Sequence, residues 1–445
     1  MRILLLSTNT FSEPYAVYPL GMSVIAGALT AAGHEVRQFD PMVCGRDKCK
    51  NQLAELIQEF HPDAIGVSIR NLDNMDSSDA SEPLIHESIE TVRQLRKSSS
   101  APIILGGSGF SLQPATILRL TGADYGIVGE GEDSAVSLIT RLSKGENITE
   151  KLHYACTARQ FGASYQEDIL HFYNNETNII PLQTKRGCSS KCIYCTYPLL
   201  EGCRVRMRDP EQVISEIIKM RLQFPNAMLY FVDAVFNDPG KKYLELLELM
   251  LRRNLAVPWT AFITPERLEE EEIKLMAAAG MTAADLGLDA STDATLAGIG
   301  KNFTFRDIPQ ICRTMIKLDV EVTASVMFGG PGETEETAIA GIANLRSLEP
   351  VYSIVFSGIR ILPGAPLLDL ARQQGMVPPD WDEISKIYYF APGLSPAWLD
   401  RTLKSGFAGS RHCIYPPGSR NDQLKKILRL GYVKLKKLQL TKGAS

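Results

Sequence analysis

Lys185-Arg186-Gly187-Cys188-Ser189-Ser190-Lys191-Cys192-Ile193-Tyr194-Cys195 follows directly on an apolar run, Ile179 to Leu182, and carries three thiols at C-x3-C-x2-C spacing. Three thiolates can hold three corners of a cubane iron–sulfur cluster and leave the fourth iron open to a substrate. A closed electron-transfer cluster or a structural zinc takes four protein ligands. The three-ligand arrangement therefore implies chemistry at the cluster, with Cys188, Cys192 and Cys195 as its ligands. The competing reading is a zinc knuckle completed by Cys203, or thiols that merely fill a core.

Two series of strands and helices must position that loop. In the first, apolar strands at residues 3–7, 35–39, 64–68, 103–105 and 125–128 alternate with helical segments near 20–32, 49–60, 83–96 and 111–121. This is the pattern of an α/β, Rossmann-like, doubly wound parallel sheet over residues 1–145, with its ligand at the carboxyl ends of the strands. Those ends carry Thr8 to Pro14, then Ser68, Arg70 and Asn71, then Gly106 and Gly107, then Gly129-Glu130-Gly131-Glu132. Glycines there let the backbone approach a large flat ligand, and Arg, Asn and Glu can hydrogen-bond amide side arms. No G-x-G-x-x-G follows the first strand, which argues against a nicotinamide cofactor.

Residues 146–178 are polar and read as a linker with one short hairpin. The second series, strands at 179–183, 228–232, 259–263, 284–288, 323–328 and 354–361 with helices such as 210–222 and 335–347, predicts a partial (β/α)6 TIM-like barrel over 179–375. Its site is expected at the strand carboxyl ends, where the cysteine loop lies. Residues 376–445 form a small, mainly helical C-terminal region. Its aromatic segment around Trp381, Tyr388 and Tyr389 either lines a substrate pocket or packs as a cap. The tail at 424–438 reads as a basic amphipathic helix, docked on the barrel or touching an anionic membrane surface.

Composition sets the frame. The chain has 445 residues, 44% apolar and 22% charged, with a formal charge of -4, so several domains are expected and no global footprint for nucleic acid. No run of 18 apolar residues predicts a membrane span. Met1 to Ser7 reads as a first strand rather than a signal peptide. Nine cysteines, an odd number with three in one loop, suit a reducing cytoplasm better than a disulfide framework.

The cysteine spacing, with an aromatic before the third thiol, resembles the signature of the radical S-adenosylmethionine (radical SAM) superfamily. A Rossmann-like domain ahead of it resembles the cobalamin-binding members. That likeness is carried by Val67-Ser68-Ile69-Arg70-Asn71, by the Gly106-Gly107 turn followed by Pro114, and by Gly129-Glu130-Gly131-Glu132. The resemblance implies three cofactors: a [4Fe-4S] cluster, SAM chelated to its open iron, and cobalamin. An electron from the cluster would release a 5′-deoxyadenosyl radical from SAM. It also implies roles for Tyr194 against the adenine, for Asp233 at the SAM amino group, and for Asp289 and Ser291 at the ribose or carboxylate. Phe328-Gly329-Gly330-Pro331-Gly332-Glu333-Thr334 resembles a recurrent methyltransferase-branch sequence and adds Gly330 and Glu333. No D-x-H-x-x-G follows the first strand, so a histidine ligand to cobalt is not expected, and His34 reads as an ordinary turn residue.

The function expected from the resemblance is methylation of an unactivated carbon of a small molecule or lipid, with electrons from a flavodoxin or ferredoxin. Cyclisation or rearrangement without methyl transfer, a methylthiotransferase, and a non-catalytic cobalamin or redox sensor remain as alternatives. Only Cys44 and Cys49 precede residue 150, which is too few for a methylthiotransferase's second cluster.

Overall fold

The computed structural model describes residues 1–79, 81, 83–155, 162–422 and 425. Its first strand, β1 (Arg2–Ser7), buries Ile3 and Leu5 on one face and Leu4 and Leu6 on the other. A strand covered by helices on both sides needs apolar residues at every position, and this one has them. β1 pairs in parallel with β2 (Glu35–Phe39) and β3 (Ala64–Ser68), and β4 (Ile103–Gly106), β5 (Tyr125–Val128) and β6 (Leu152–Tyr154) complete the order β2-β1-β3-β4-β5-β6. The order reverses between β1 and β3, which opens a crevice at their carboxyl ends.

The chain continues through β7 (Ile179–Leu182), β8 (Lys185–Arg186), β9 (Arg206–Met207), β10 (Met228–Phe231), β11 (Trp259–Ile263), β12 (Ala283–Asp289), β13 (Glu321–Phe328), β14 (Tyr352–Ser357), β15 (Ile359–Arg360), β16 (Tyr388–Tyr389) and β17 (Cys413–Ile414). β7, β10, β11, β12, β13, β14 and β17 form one parallel sheet in that order, while β8 with β9 and β15 with β16 are short antiparallel pairs. Alternation sorts the barrel residues. Ala284, Leu286 and Leu288 of β12 are buried beneath helices, whereas Asp285, Gly287 and Asp289 face the partly open lumen. Helices begin where the sequence supplies caps: Asp209 accepts from the Glu211 amide just before Pro210, and Thr292 and Thr334 close reciprocal capping boxes.

Two expectations change, and one open alternative narrows. Residues 146–178 are more ordered than a linker with a hairpin: they supply the parallel edge strand β6 and a helix, Glu167–Thr177, that buries Ile169, Leu170 and Tyr173. β17 adds a seventh strand to the six expected, through the pairs Ser353 with Cys413 and Ile354 with Ile414. In the aromatic segment Tyr389 is buried and Phe390 lies over Gly358, so these two residues pack as part of a cap. The amphipathic helix expected at 424–438 lies, apart from residue 425, outside the described residues. Among the described residues no helix is long and apolar enough to cross a membrane.

The two sheets share one hydrophobic core. Ile3 and Leu5 belong to the same buried cluster as Ile180, Trp259 and Val326. Tyr173 and Tyr165 bridge the halves, Tyr173 donating to Asp40 at 2.9 Å and Tyr165 to the Pro181 carbonyl at 2.9 Å.

Candidate active site at the facing strand ends

Asp233, just past β10, holds the start of the cysteine loop. It accepts from the Thr184 amide at 2.8 Å, the Thr184 hydroxyl at 2.5 Å and the Lys185 amide at 3.1 Å. Burial pushes its carboxyl up, and Lys185 and these donors oppose the shift. Both oxygens are engaged and the residue is fully buried. Asp233 thus positions the loop, its two oxygens serving Thr184 and Lys185 instead of the SAM amino group expected there.

The antiparallel pair β8 and β9 forms the neck of the loop. Gly187 sits at φ +86°, and a Cβ there would collide with the Arg204 carbonyl, so only glycine lets the strands cross this closely. The Cys188 amide donates to the Gly202 carbonyl at 3.1 Å, and the Cys195 amide to the Cys192 carbonyl at 3.2 Å. Cys188, Cys192 and Cys195 are all free thiols, the first buried and the others half-buried.

Their electrostatics suit a metal cluster. Burial pushes the Cys195 thiol up to about 12, with the other two cysteines adding to the rise, and burial raises Cys192 as well. Cys188 acts on both of the other thiols and Cys192 acts on Cys195, so the three groups share one site. Thiolates are unfavourable there until a cation is bound, and iron would supply that charge. Among the described residues no three His, Cys, Asp or Glu side chains converge on a single ion. A cubane differs in this respect, because it distributes its thiolates over separate irons.

Asp289 stands at the rim of the same site. The β12–β13 register shifts between Leu286 and Asp289, and Asp289 adopts φ +62°. Such bulges re-aim side chains beside functional sites. Asp289 ion-pairs with Lys301 and accepts from Tyr194. Burial works against the Lys301 charge, yet Asp289 and Cys192 hold its ammonium above the ordinary lysine value. Its Nζ donates to the Gly287 carbonyl at 3.2 Å and lies 6.0 Å from the centre of the Tyr194 ring. Tyr194 and Asp289 therefore meet at the cysteines, as the sequence suggests, together with a lysine the sequence reading did not single out. The signal for Lys301 was the preceding glycine: Gly300 has φ +82°, and a Cβ there would lie 2.5 Å from the Lys191 carbonyl.

Three other expected SAM contacts are turned to packing. Ser291 is buried against Gly341, where a Cβ would strike its hydroxyl. Glu333 accepts from the Gly329 amide at 3.2 Å and the Thr337 hydroxyl at 2.6 Å. A Cβ on Gly330 would lie 2.7 Å from Ile359. All three shape the loop behind the site.

Facing the cysteine loop is a cavity of about 710 Å³ at the carboxyl ends of β1, β3, β4 and β5. Ser68, Arg70, Asn71, Gly106 and Gly107 line it from β3 and β4, and Gly129, Glu130, Gly131 and Glu132 from β5. Its volume falls in the ~300–1,000 Å³ range of small-molecule and cofactor sites. Gly107, at φ +100°, would place a Cβ 2.5 Å from the Ile69 carbonyl, so the smooth wall here depends on glycine. Arg70 lines the space and is exposed to it, with no acidic partner among the described residues, and desolvation by the surrounding protein lowers its guanidinium from the ordinary arginine value. These residues can receive a large ligand with polar side arms, as cobalamin has. Among the described residues no histidine lines the cavity.

Glu130 and Glu132 go elsewhere. Arg206 ion-pairs with Glu130, donating to its Oε2 at 3.0 Å, and Arg186 reaches Glu130 at 3.3 Å and Glu132 at 2.5 Å. Both carboxylates are therefore tied to the neck of the cysteine loop. They lock the two halves together rather than standing free for a cofactor. On the far side of the cavity lie Thr196, Tyr197, Leu200 and Glu201, the turn and short helix that follow Cys195.

Comparison with known proteins agrees with this geometry. Residues 9–139 match the B12 binding domain and residues 182–340 match the radical SAM superfamily. A tryptophan 2-C-methyltransferase of Streptomyces laurentii is 23% identical, over 81% of this chain and 73% of its own length. An uncharacterised methyltransferase of Pyrococcus horikoshii is 24% identical over 97% of this chain and 92% of its own. The structure of the radical SAM methyltransferase TsrM from Kitasatospora setae, with tryptophan substrate and a SAM analogue bound, superposes with a TM-score of 0.86 at 22% identity, covering 97% of this chain and 96% of that one.

Proposed function

The chain belongs to the cobalamin-binding radical SAM family, and from that premise we propose that it transfers a methyl group to an unactivated carbon of a small molecule or lipid. The observation that carries this reading is the shared cavity. The carboxyl ends of the first sheet open onto it, and the segment running out of the cysteine loop forms its opposite wall. Two cofactors held on those walls would face one substrate across a single cavity, where orientation replaces chance encounter.

When bound, cobalamin supplies the methyl group and the cluster supplies the electron that cleaves SAM. The protein's residues position these groups. Cys188, Cys192 and Cys195 hold the cluster, Asp289 and Lys301 set the charge beside it, and Asp233 fixes the loop. Arg70, Asn71 and the glycines of the β4 and β5 turns form the cobalamin wall. A flavodoxin or ferredoxin serves as the electron donor. Relatives spanning 81% and 97% of the chain are named methyltransferases, which supports methyl transfer over cyclisation.

The test is anaerobic purification with cobalamin supplied, an iron and cobalt count, and incubation with reductant and SAM deuterated at its methyl group. Roughly four irons and one cobalt are expected per chain, with release of 5′-deoxyadenosine and S-adenosylhomocysteine. Iron without cobalt would eliminate methyl transfer. S-adenosylhomocysteine without 5′-deoxyadenosine would retain methyl transfer and eliminate hydrogen abstraction.

A further inference from the structure

Beneath the cysteine site, inside the barrel, lies a carboxylate that the reading above does not use. Asp285 of β12 points into the lumen, between outward-facing Ala284 and Leu286. Its Oδ2 accepts from the Tyr230 hydroxyl at 3.1 Å and its Oδ1 from the Thr323 hydroxyl. Both donors are neutral, and no basic side chain among the described residues pairs with it. Burial pushes the carboxyl up, only partly offset by those two hydroxyls. A carboxylate held in such a place without a cation is unfavourable unless something arriving supplies one.

The surroundings leave room for an arrival. In sheet register Phe262 flanks Asp285 on one side and Thr323 on the other. The next lumen position on β12 is Gly287, where an added Cβ would meet nothing closer than 3.5 Å, and the next on β13 is the exposed Ser325. Small residues in that row open the space between Asp285 and the Asp289 rim. Phe262 is 42% exposed although its strand is internal to the sheet, and its ring lies 5.7 Å from that of Tyr230 at a tilt of 50°. Tyr15, from the segment after β1, comes near enough to feel the Asp285 charge. The lumen thus combines one acidic acceptor, an aromatic wall and an opening toward the cysteine site.

We propose that Asp285 anchors the substrate by a protonated amine, with a flat apolar body lying against Phe262 and Tyr230 and the carbon to be methylated directed toward the cysteine rim. The substrate is then an amine-bearing aromatic or similarly flat molecule. This rests on the methyl-transfer reading, because it names the substrate class of that reaction.

The test uses the full-length chain loaded with cluster and cobalamin, titrated calorimetrically with tryptamine and with indole-3-propionate, a similar ring system of opposite charge. Tryptamine should bind more tightly than the acid, and Asp285→Asn should weaken tryptamine by about 10- to 100-fold, the range for a hydrogen bond to a charged group, while iron and cobalt contents stay unchanged. Equal or tighter binding of the acid, no measurable binding of tryptamine, or an unchanged tryptamine affinity in Asp285→Asn would overturn the proposal. If the variant fails to fold, the wild-type preference between the two probes decides. Failure here leaves metal loading and SAM cleavage intact, whereas failure of the methyl-transfer reading appears in those assays first.

Discussion

Replacing Asp73 by Asn should loosen the contact that closes the barrel end against the first sheet. Asp73 follows β3, and its Oδ2 accepts from Arg360 Nε at 2.7 Å across 287 residues of sequence. Both side chains are only 1% exposed. Arg360 also donates to the Ile361 and Ile387 carbonyls, so it cannot swing out to water without breaking those bonds. Asn preserves shape and an acceptor oxygen but leaves the guanidinium buried without a counter-charge. Removing one partner of a buried pair costs about 3–5 kcal/mol. Because a chain with two sheets need not unfold in one step, the measurement should be a double-mutant cycle in urea with Arg360→Met. The expected coupling is about 3 kcal/mol, nearly independent of added salt because the pair is shielded from the solvent. Asp73 and Leu362 also line the cavity, so the variant should bind cobalamin more weakly. A coupling below about 0.5 kcal/mol, the level at which independent sites add, would refute the argument that this buried pair holds the halves together.

Other perturbations test other parts. Cys192→Ala should abolish cluster assembly, seen as loss of iron and of visible absorption, while cobalamin binding by the first sheet persists. Gly107→Ala places a methyl against the Ile69 carbonyl at φ +100° and should cost about 1–3 kcal/mol, with weaker cobalamin binding read by its spectral shift. Asp40 is buried, and burial pushes its carboxyl up to about 6 against the bonds it accepts from Met42 and Tyr173. Its folded-state pKa lies above the unfolded value, so stability tied to this group is full below about pH 4 and falls as pH rises to about 6, by roughly 1–3 kcal/mol in total. Asp40→Asn should remove that segment of the pH dependence of the urea midpoint. An unchanged slope between pH 4 and 6 would show that another group is responsible.

What the sequence could determine was local. The three thiols act together because their spacing along one loop brings them together whatever surrounds them. The two-sided apolar runs of β1 and β10 identify parallel strands because a sheet covered by helices demands them. The glycine turns after β4 and β5 mark the cavity wall because only glycine accepts φ near +90° and a carbonyl at van der Waals contact.

What only the tertiary structure decided were pairings between distant segments. Nothing near Glu130 or Glu132 announces that arginines 54 to 76 positions away will claim them. Asp233 and Glu333 stand where a SAM ligand was expected, yet the oxygens of Asp233 serve Thr184 and Lys185, 48 to 49 positions away, and those of Glu333 serve the Gly329 amide and Thr337 hydroxyl of its own loop, because donors turned inward must be satisfied. β6 and β17 were missed because a short edge strand gains its hydrogen bonds from a neighbour already in place and needs little apolar pattern of its own. Asp285 was invisible for the same reason. A carboxylate in a strand reads as a solvated residue until the barrel closes around it, and closure depends on strands more than a hundred residues apart, held by a core that no single stretch contains.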